Sequence, residues 1–112
     1  MPIQIWSDRI WILTLDDEPL LSEELISGTD LVQKAEMPPE MVVDFSAVTR
    51  VGSVNLSQLL SLRKIFVERG AHMKIAGLTD APWGAFLATG LDKVFDFTPD
   101  VPSALAALQL DL

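Results

Sequence analysis

Three short apolar runs constrain this chain more than any other feature: IWILTL at 10–15, MVVDF at 41–45 and MKIA at 73–76. Each is rich in β-branched or large apolar side chains and bounded by turn formers, as buried strands are. The segments between them keep a different period. Leu21, Leu25, Gly28 and Val32 fall four, three and four residues apart, on one helical face. Over 53–67, Leu56, Leu59, Leu60, Arg63 and Val67 repeat at helical spacing, and Leu62, Ile65 and Phe66 widen the stripe. Strands separated by helices pair in parallel through right-handed crossovers. The chain is thereby held to the α/β class.

The remaining elements complete the order. Residues 3–6 and 9–15 flank a Ser7–Asp8 turn and predict a β-hairpin that adds an antiparallel edge. In its second strand Ile10, Ile12 and Thr14 share one face, and Trp11, Leu13 and Leu15 the other. Both faces are mostly apolar, so that strand is expected to be covered on both sides. Gly28 lies on the inner face of the first helix, where it costs roughly 1 kcal/mol against alanine but permits close approach to the sheet. Pro38 and Pro39 end that helix, and Gly70 ends the next. TDAPWGAFLATG predicts a helix capped by Thr79 or Asp80 and stopped at Gly90. A short strand at 94–97 and an alanine-rich helix starting near Thr98 or Asp100 follow, with Ala104, Leu105 and Leu108 inward. The expected order is β-β-α-β-α-β-α-β-α, in one domain spanning 1–112.

Composition narrows the function. Hydrophobic residues make up 49% of 112, enough for a core without a disulfide or structural metal. There is no cysteine, which excludes a thiol nucleophile and a cysteine zinc site. A net charge of −8 disfavours nucleic acid and anionic membranes as partners. It leaves a basic protein face open, through electrostatic steering. Asp8 and Arg9 break the apolar N-terminus, and no run approaches a membrane span of about 20 residues. A soluble, cytoplasmic protein is expected.

Catalytic patterns are missing. Neither the Walker pattern nor Gly-x-Gly-x-x-Gly occurs, and VGSVN is no Gly-x-Ser-x-Gly nucleophile elbow, having glycine directly before the serine and asparagine two residues after it. Asp16, Asp17 and Glu18 are read as a solvated turn, because adjacent carboxylates diverge where a hard cation needs convergent oxygens. Asp44 is read as a structural acceptor for loop amides, and His72 as an exposed loop residue. Core or edge packing is expected for at least two of Trp6, Trp11 and Trp83, and Trp83 sits at a partly exposed helix start. Trp83 and Phe86 fit either a dimer contact or the interior. No catalytic residue, metal site or cofactor is expected. One turn remains, Gly52–Ser53–Val54–Asn55, between a strand and the strongest helix. Ser53 reads locally as the N-cap of that helix, outside a capping box because Leu56 stands three residues on.

From MVVDF through TGLDKVFDF to SALAAL, residues 41–108, the chain resembles the STAS domain of sulphate transporters and anti-sigma-factor antagonists. The resemblance rests on a strand ending in DFS, then VT, a serine-bearing turn, a leucine-rich helix, a glycine, a strand, TGLDKVFDF and a final alanine-rich helix. It implies a mixed sheet with helices mainly on one face. It also implies a non-enzymatic interaction module, whose unphosphorylated form binds an anti-sigma kinase and whose phosphorylation in the turn weakens that complex. The family's turn runs Asp-Ser-Ser/Thr-Gly with the acceptor third. Here Gly52 replaces the aspartate, Val54 the acceptor and Asn55 the glycine, while Ser53 keeps a hydroxyl one position early. Ser53, Thr49 and Ser57 are the substitute acceptors. A one-residue shift turns a helical side chain by about 100°, away from where a kinase would reach the third position. The early Gly-x-Leu-Asp segment is altered to LDDEPLL. A second reading from the same resemblance is an accessory subunit of a lipid-transport ATPase; a small nucleotide-binding protein or hydrolase is the third.

Overall fold

The computed structural model describes residues 3–110. Five strands, β1 (Ile3–Ile5), β2 (Ile10–Thr14), β3 (Glu40–Asp44), β4 (Met73–Ala76) and β5 (Asp96–Thr98), form one sheet in sequence order. β1 pairs antiparallel with β2, and β2 through β5 are parallel. The helices are α1 (Leu20–Lys34), α2 (Ser53–Arg69), α3 (Asp80–Thr89) and α4 (Val101–Leu110). α1, α2 and α3 each carry the chain one strand further in the same direction. Right-handed crossovers therefore put all three on one face. Their buried side chains, among them Leu21, Leu25, Leu59, Phe66 and Phe86, pack on Leu13, Val43 and Ile75. The opposite face of the sheet is also apolar, and α4 packs across it against β3, β4 and β5. Ala104 and Leu108 close over Ile10, Ile12, Val42 and Ala76. Helices mainly on one face describes three of the four.

The face expected for α1 is the one buried: Leu21, Leu25, Gly28 and Val32. A Cβ on Gly28 would stand 3.0 Å from Leu13 Cδ2, so the glycine lets α1 settle onto β2. For α2 the stripe needs correction. Asn55, Leu56, Leu59, Leu62 and Phe66 are buried, while Leu60 and Val67 are exposed. On the helical wheel these two sit roughly a quarter turn from the centre of the buried arc. The fifth strand also begins later than 94. Gly90 takes φ +75° and starts a 3₁₀ turn, Leu91–Lys93. The Val94 and Phe95 amides both donate to Leu91 O, which keeps these residues in the turn. Phe86 lies wholly inside, edge-on to Phe45, Phe95 and Phe97. Trp83 is 37% exposed and packs edge-on against Phe97 at 5.1 Å.

His72 is more engaged than an exposed loop residue. Its ring is open to solvent, yet its backbone N–H and Nδ1 both meet Glu40 Oε2, at 2.8 and 2.9 Å. Glu40 is 7% exposed, and this pairing is what lets a carboxylate sit at the buried start of β3.

Candidate functional site

The carboxyl ends of the parallel strands open into three loops, at 15–19, 45–52 and 77–79. In open α/β sheets this is the end where loops are free to present functional residues. The middle loop leads into α2 and contains the candidate turn.

Gly52, with extended φ −108° and ψ 176°, is the N-cap of α2, and its carbonyl accepts the first intrahelical bond from Leu56 N–H at 3.1 Å. Ser53 is therefore the first helical residue and not the cap. Capping is done from inside the helix: Asn55 Oδ1 accepts the Gly52 N–H at 2.8 Å. Glycine has no side chain to return the bond, so only the backward half of a capping box exists. Asn55 is 3% exposed. Its Nδ2 amide reaches Glu18 Oε2 at 3.3 Å and Ser22 Oγ and Gln58 Oε1 at 3.4 Å each. Asn55 is thus a buried fastener between α2 and α1.

The loop before the turn is held from two sides. Asp17 Oδ1 accepts the backbone N–H groups of Thr49 and Arg50 at 2.7 and 3.2 Å, and Oδ2 accepts the Thr49 hydroxyl at 2.6 Å. The hydrogen bond from the Thr49 hydroxyl, then that from its amide, holds the Asp17 carboxyl below the usual aspartate range. From the other side the Thr79 hydroxyl donates to Val48 O at 3.0 Å. Glu18 accepts from the Ser22 hydroxyl and amide at 2.6 and 2.8 Å, which lowers its pKa in the same way. Partial burial instead pushes the Glu24 carboxyl up, as it accepts the Asp16 amide. Asp17 and Glu18 are thus clamps within a turn that stays largely exposed to solvent, so the solvated-turn reading holds but is incomplete. Among the described residues no group of three or more histidine and carboxylate side chains is placed to hold a metal ion.

Asp44 is the structural acceptor expected, bonding the Ser46 amide at 3.0 Å and the Ser46 hydroxyl. Gly77, at φ +74°, passes so close that a Cβ would lie 2.7 Å from Ser46 Oγ. No other residue type suits that conformation and that contact together.

These clamps present an open groove of about 440 Å³ lined by Glu18, Arg50, Val51, Gly52, Ser53, Val54 and Asn55. Val54 is 65% exposed. Thr49, Ser53 and Ser57 are all exposed, but they are not equivalent. The Thr49 hydroxyl is committed to Asp17, whereas Ser53 and Ser57 lie on the first turns of α2. Sequence reasoning missed Asp17, Glu18 and Thr79 as parts of the site. Their partners lie 31 to 37 residues away, and no local pattern signals such a bond.

A mixed sheet with three crossover helices on one face, a closing helix on the other and a clamped turn at the carboxyl ends defines a small α/β domain that presents a loop. The STAS domain family model matches residues 8–104, and the chain belongs to that family. Solved structures give the same fold. RsbS from Moorella thermoacetica, in a variant form, superposes with a TM-score of 0.78 at 19% identity, over 97% of this chain and 96% of that one. An anti-sigma factor antagonist from Mycobacterium paratuberculosis gives 0.78 at 23%, covering 96% and 91%. A putative anti-sigma factor antagonist from Thermotoga maritima gives 0.76 at 16%, covering 96% and 93%. Comparison with curated proteins gives no match. Among the described residues no helix is long and apolar enough to cross a membrane.

Proposed function

We propose that the chain is a cytoplasmic protein-interaction module of the anti-sigma-factor-antagonist type. Residues 1–112 act as one domain, and the chain works by docking without turnover of its own. Its contact surface is the groove at Gly52, Ser53, Val54 and Asn55 with the exposed start of α2, and its partner is an anti-sigma kinase-like protein. The observation that carries this reading is the way the turn is built. Asp17 and Thr79 fix the loop from both sides, and Asn55 fixes the helix start, while Val54 stands 65% exposed at the tip. A preorganised apolar knob at the end of a helix is suited to binding, since little ordering remains to be done on association. Structural likeness to antagonists supports the same reading. Val54 occupies the position of the family's acceptor and has no hydroxyl, so the partner meets a face that phosphorylation at that position cannot change.

The test is capture from the native host with partner identification by mass spectrometry, comparing wild type, Val54→Arg and Leu110→Arg. Leu110 is 88% exposed on α4, on the opposite side of the sheet, and serves as the control. The expected result is a kinase-like partner lost with Val54→Arg and kept with Leu110→Arg. Equal capture by Val54→Arg and wild type would overturn the assigned surface. Recovery of a membrane ATPase in place of the kinase would overturn the partner class.

A further inference from the structure

At the other end of the sheet, at the amino ends of β4 and β5, the structure holds a second recess of about 220 Å³. It lies between the C-terminal half of α2 and the segment leading into β5. Its floor is apolar: Phe66, Met73 and Phe95 are each no more than 7% exposed. Its rim carries two opposite charges, Arg63 from α2 and Asp96 from β5. Neither is in an ion pair with another described residue. The His72 ring also lines the rim, and its Nδ1 is fixed by the buried Glu40 carboxylate at 2.9 Å.

We propose that this recess binds a free α-amino acid with a branched or aromatic side chain. The guanidinium of Arg63 suits a carboxylate, and Asp96 suits an ammonium group. The apolar floor suits the side chain. The volume falls below the ~300–1,000 Å³ typical of drug-sized sites and fits a ligand of about ten non-hydrogen atoms. A zwitterion also carries no net charge. It therefore avoids the repulsion that a chain of net charge −8 imposes on anions. The recess shares no residue with the groove at the turn, so this inference stands or falls apart from the docking proposal.

The test is titration of the full chain with L-leucine and L-phenylalanine, followed by ¹H–¹⁵N NMR. Leucinamide, which lacks the carboxylate, and 4-methylpentanoate, which lacks the ammonium group, serve as comparison ligands. Saturable shifts are expected at Ala71, His72, Phe95 and Asp96, with Kd on the order of 1 mM for so few atoms. Each one-charge analogue is expected to bind about tenfold more weakly. Arg63→Gln should weaken leucine about tenfold and leave leucinamide unchanged, and Asp96→Asn should do the same for leucine and 4-methylpentanoate. Both substitutions are at the surface, and the dispersion of each variant's spectrum reports its fold. Absence of saturable shifts with both amino acids overturns the proposal. So does leucine binding that neither variant weakens.

Discussion

Replacing Asn55 by alanine and, separately, Ser53 by alanine discriminates two accounts of how α2 begins. If the serine capped the helix, its loss would cost about 0.5–2 kcal/mol. The structure assigns that role to Asn55. Asn55→Ala removes the acceptor 2.8 Å from the Gly52 N–H and the amide that meets Glu18, Ser22 and Gln58. The longer contacts, at 3.3–3.4 Å, are weak. Gly52 is itself exposed, so its N–H can turn to water, and the loss is that of a cap, about 1–2 kcal/mol. In a domain of this size that lowers Tm by roughly 4–8 °C. Ser53→Ala, at an exposed first helical position, is expected to change stability by less than about 0.5 kcal/mol. The assay is urea unfolding followed by tryptophan fluorescence, fitted with a common m-value. A larger cost for Ser53→Ala than for Asn55→Ala would refute the assignment, and with it the description of Asn55 as the fastener of the turn.

Other consequences follow from the same geometry. The Asp17 carboxyl is lowered in the fold by the Thr49 and Arg50 bonds, so its contribution is present above the ordinary aspartate pKa of 3.8 and is lost as pH falls through the lower folded value. The Thr49 and Arg50 amide signals of wild type should titrate together below about pH 4, and Asp17→Asn should abolish that titration while the fold persists. Gly28→Val forces bulk against Leu13, where a single Cβ already stands at 3.0 Å, and should cost about 1–3 kcal/mol in urea unfolding. Phe86→Ala removes a fully buried ring that meets three other phenylalanines, and should cost about 3–5 kcal/mol by the same measurement.

What the sequence made legible follows from range. The spacing of Leu21, Leu25, Gly28 and Val32 is a local property, and the buried face of α1 matches it residue for residue. The strand β4 was legible at 73–76 for the same reason. The α2 stripe was misread because leucines occur on its flank as well as its centre, and hydrophobicity alone does not say which arc meets the sheet. The site was legible only in outline. The position of the turn could be read, but not the fact that Asp17 and Glu18 hold it, because that depends on β2 and β3 ending side by side. Ser53 was mistaken for the cap because serine favours that position. Asn55, three residues after Gly52, performs the task from inside the helix, and it is easily passed over beside a glycine that has no side chain.

The order in which the chain supplies its cover has a consequence for its birth. Three helices arrive between the strands they connect, so one side of the sheet is sheltered as it grows. The other side waits for α4, which follows every strand. Until that helix docks, Ile10, Ile12, Val42 and Ala76 form an uncovered apolar face. A nascent chain in that state is adhesive, and two such chains could meet face to face before either is finished.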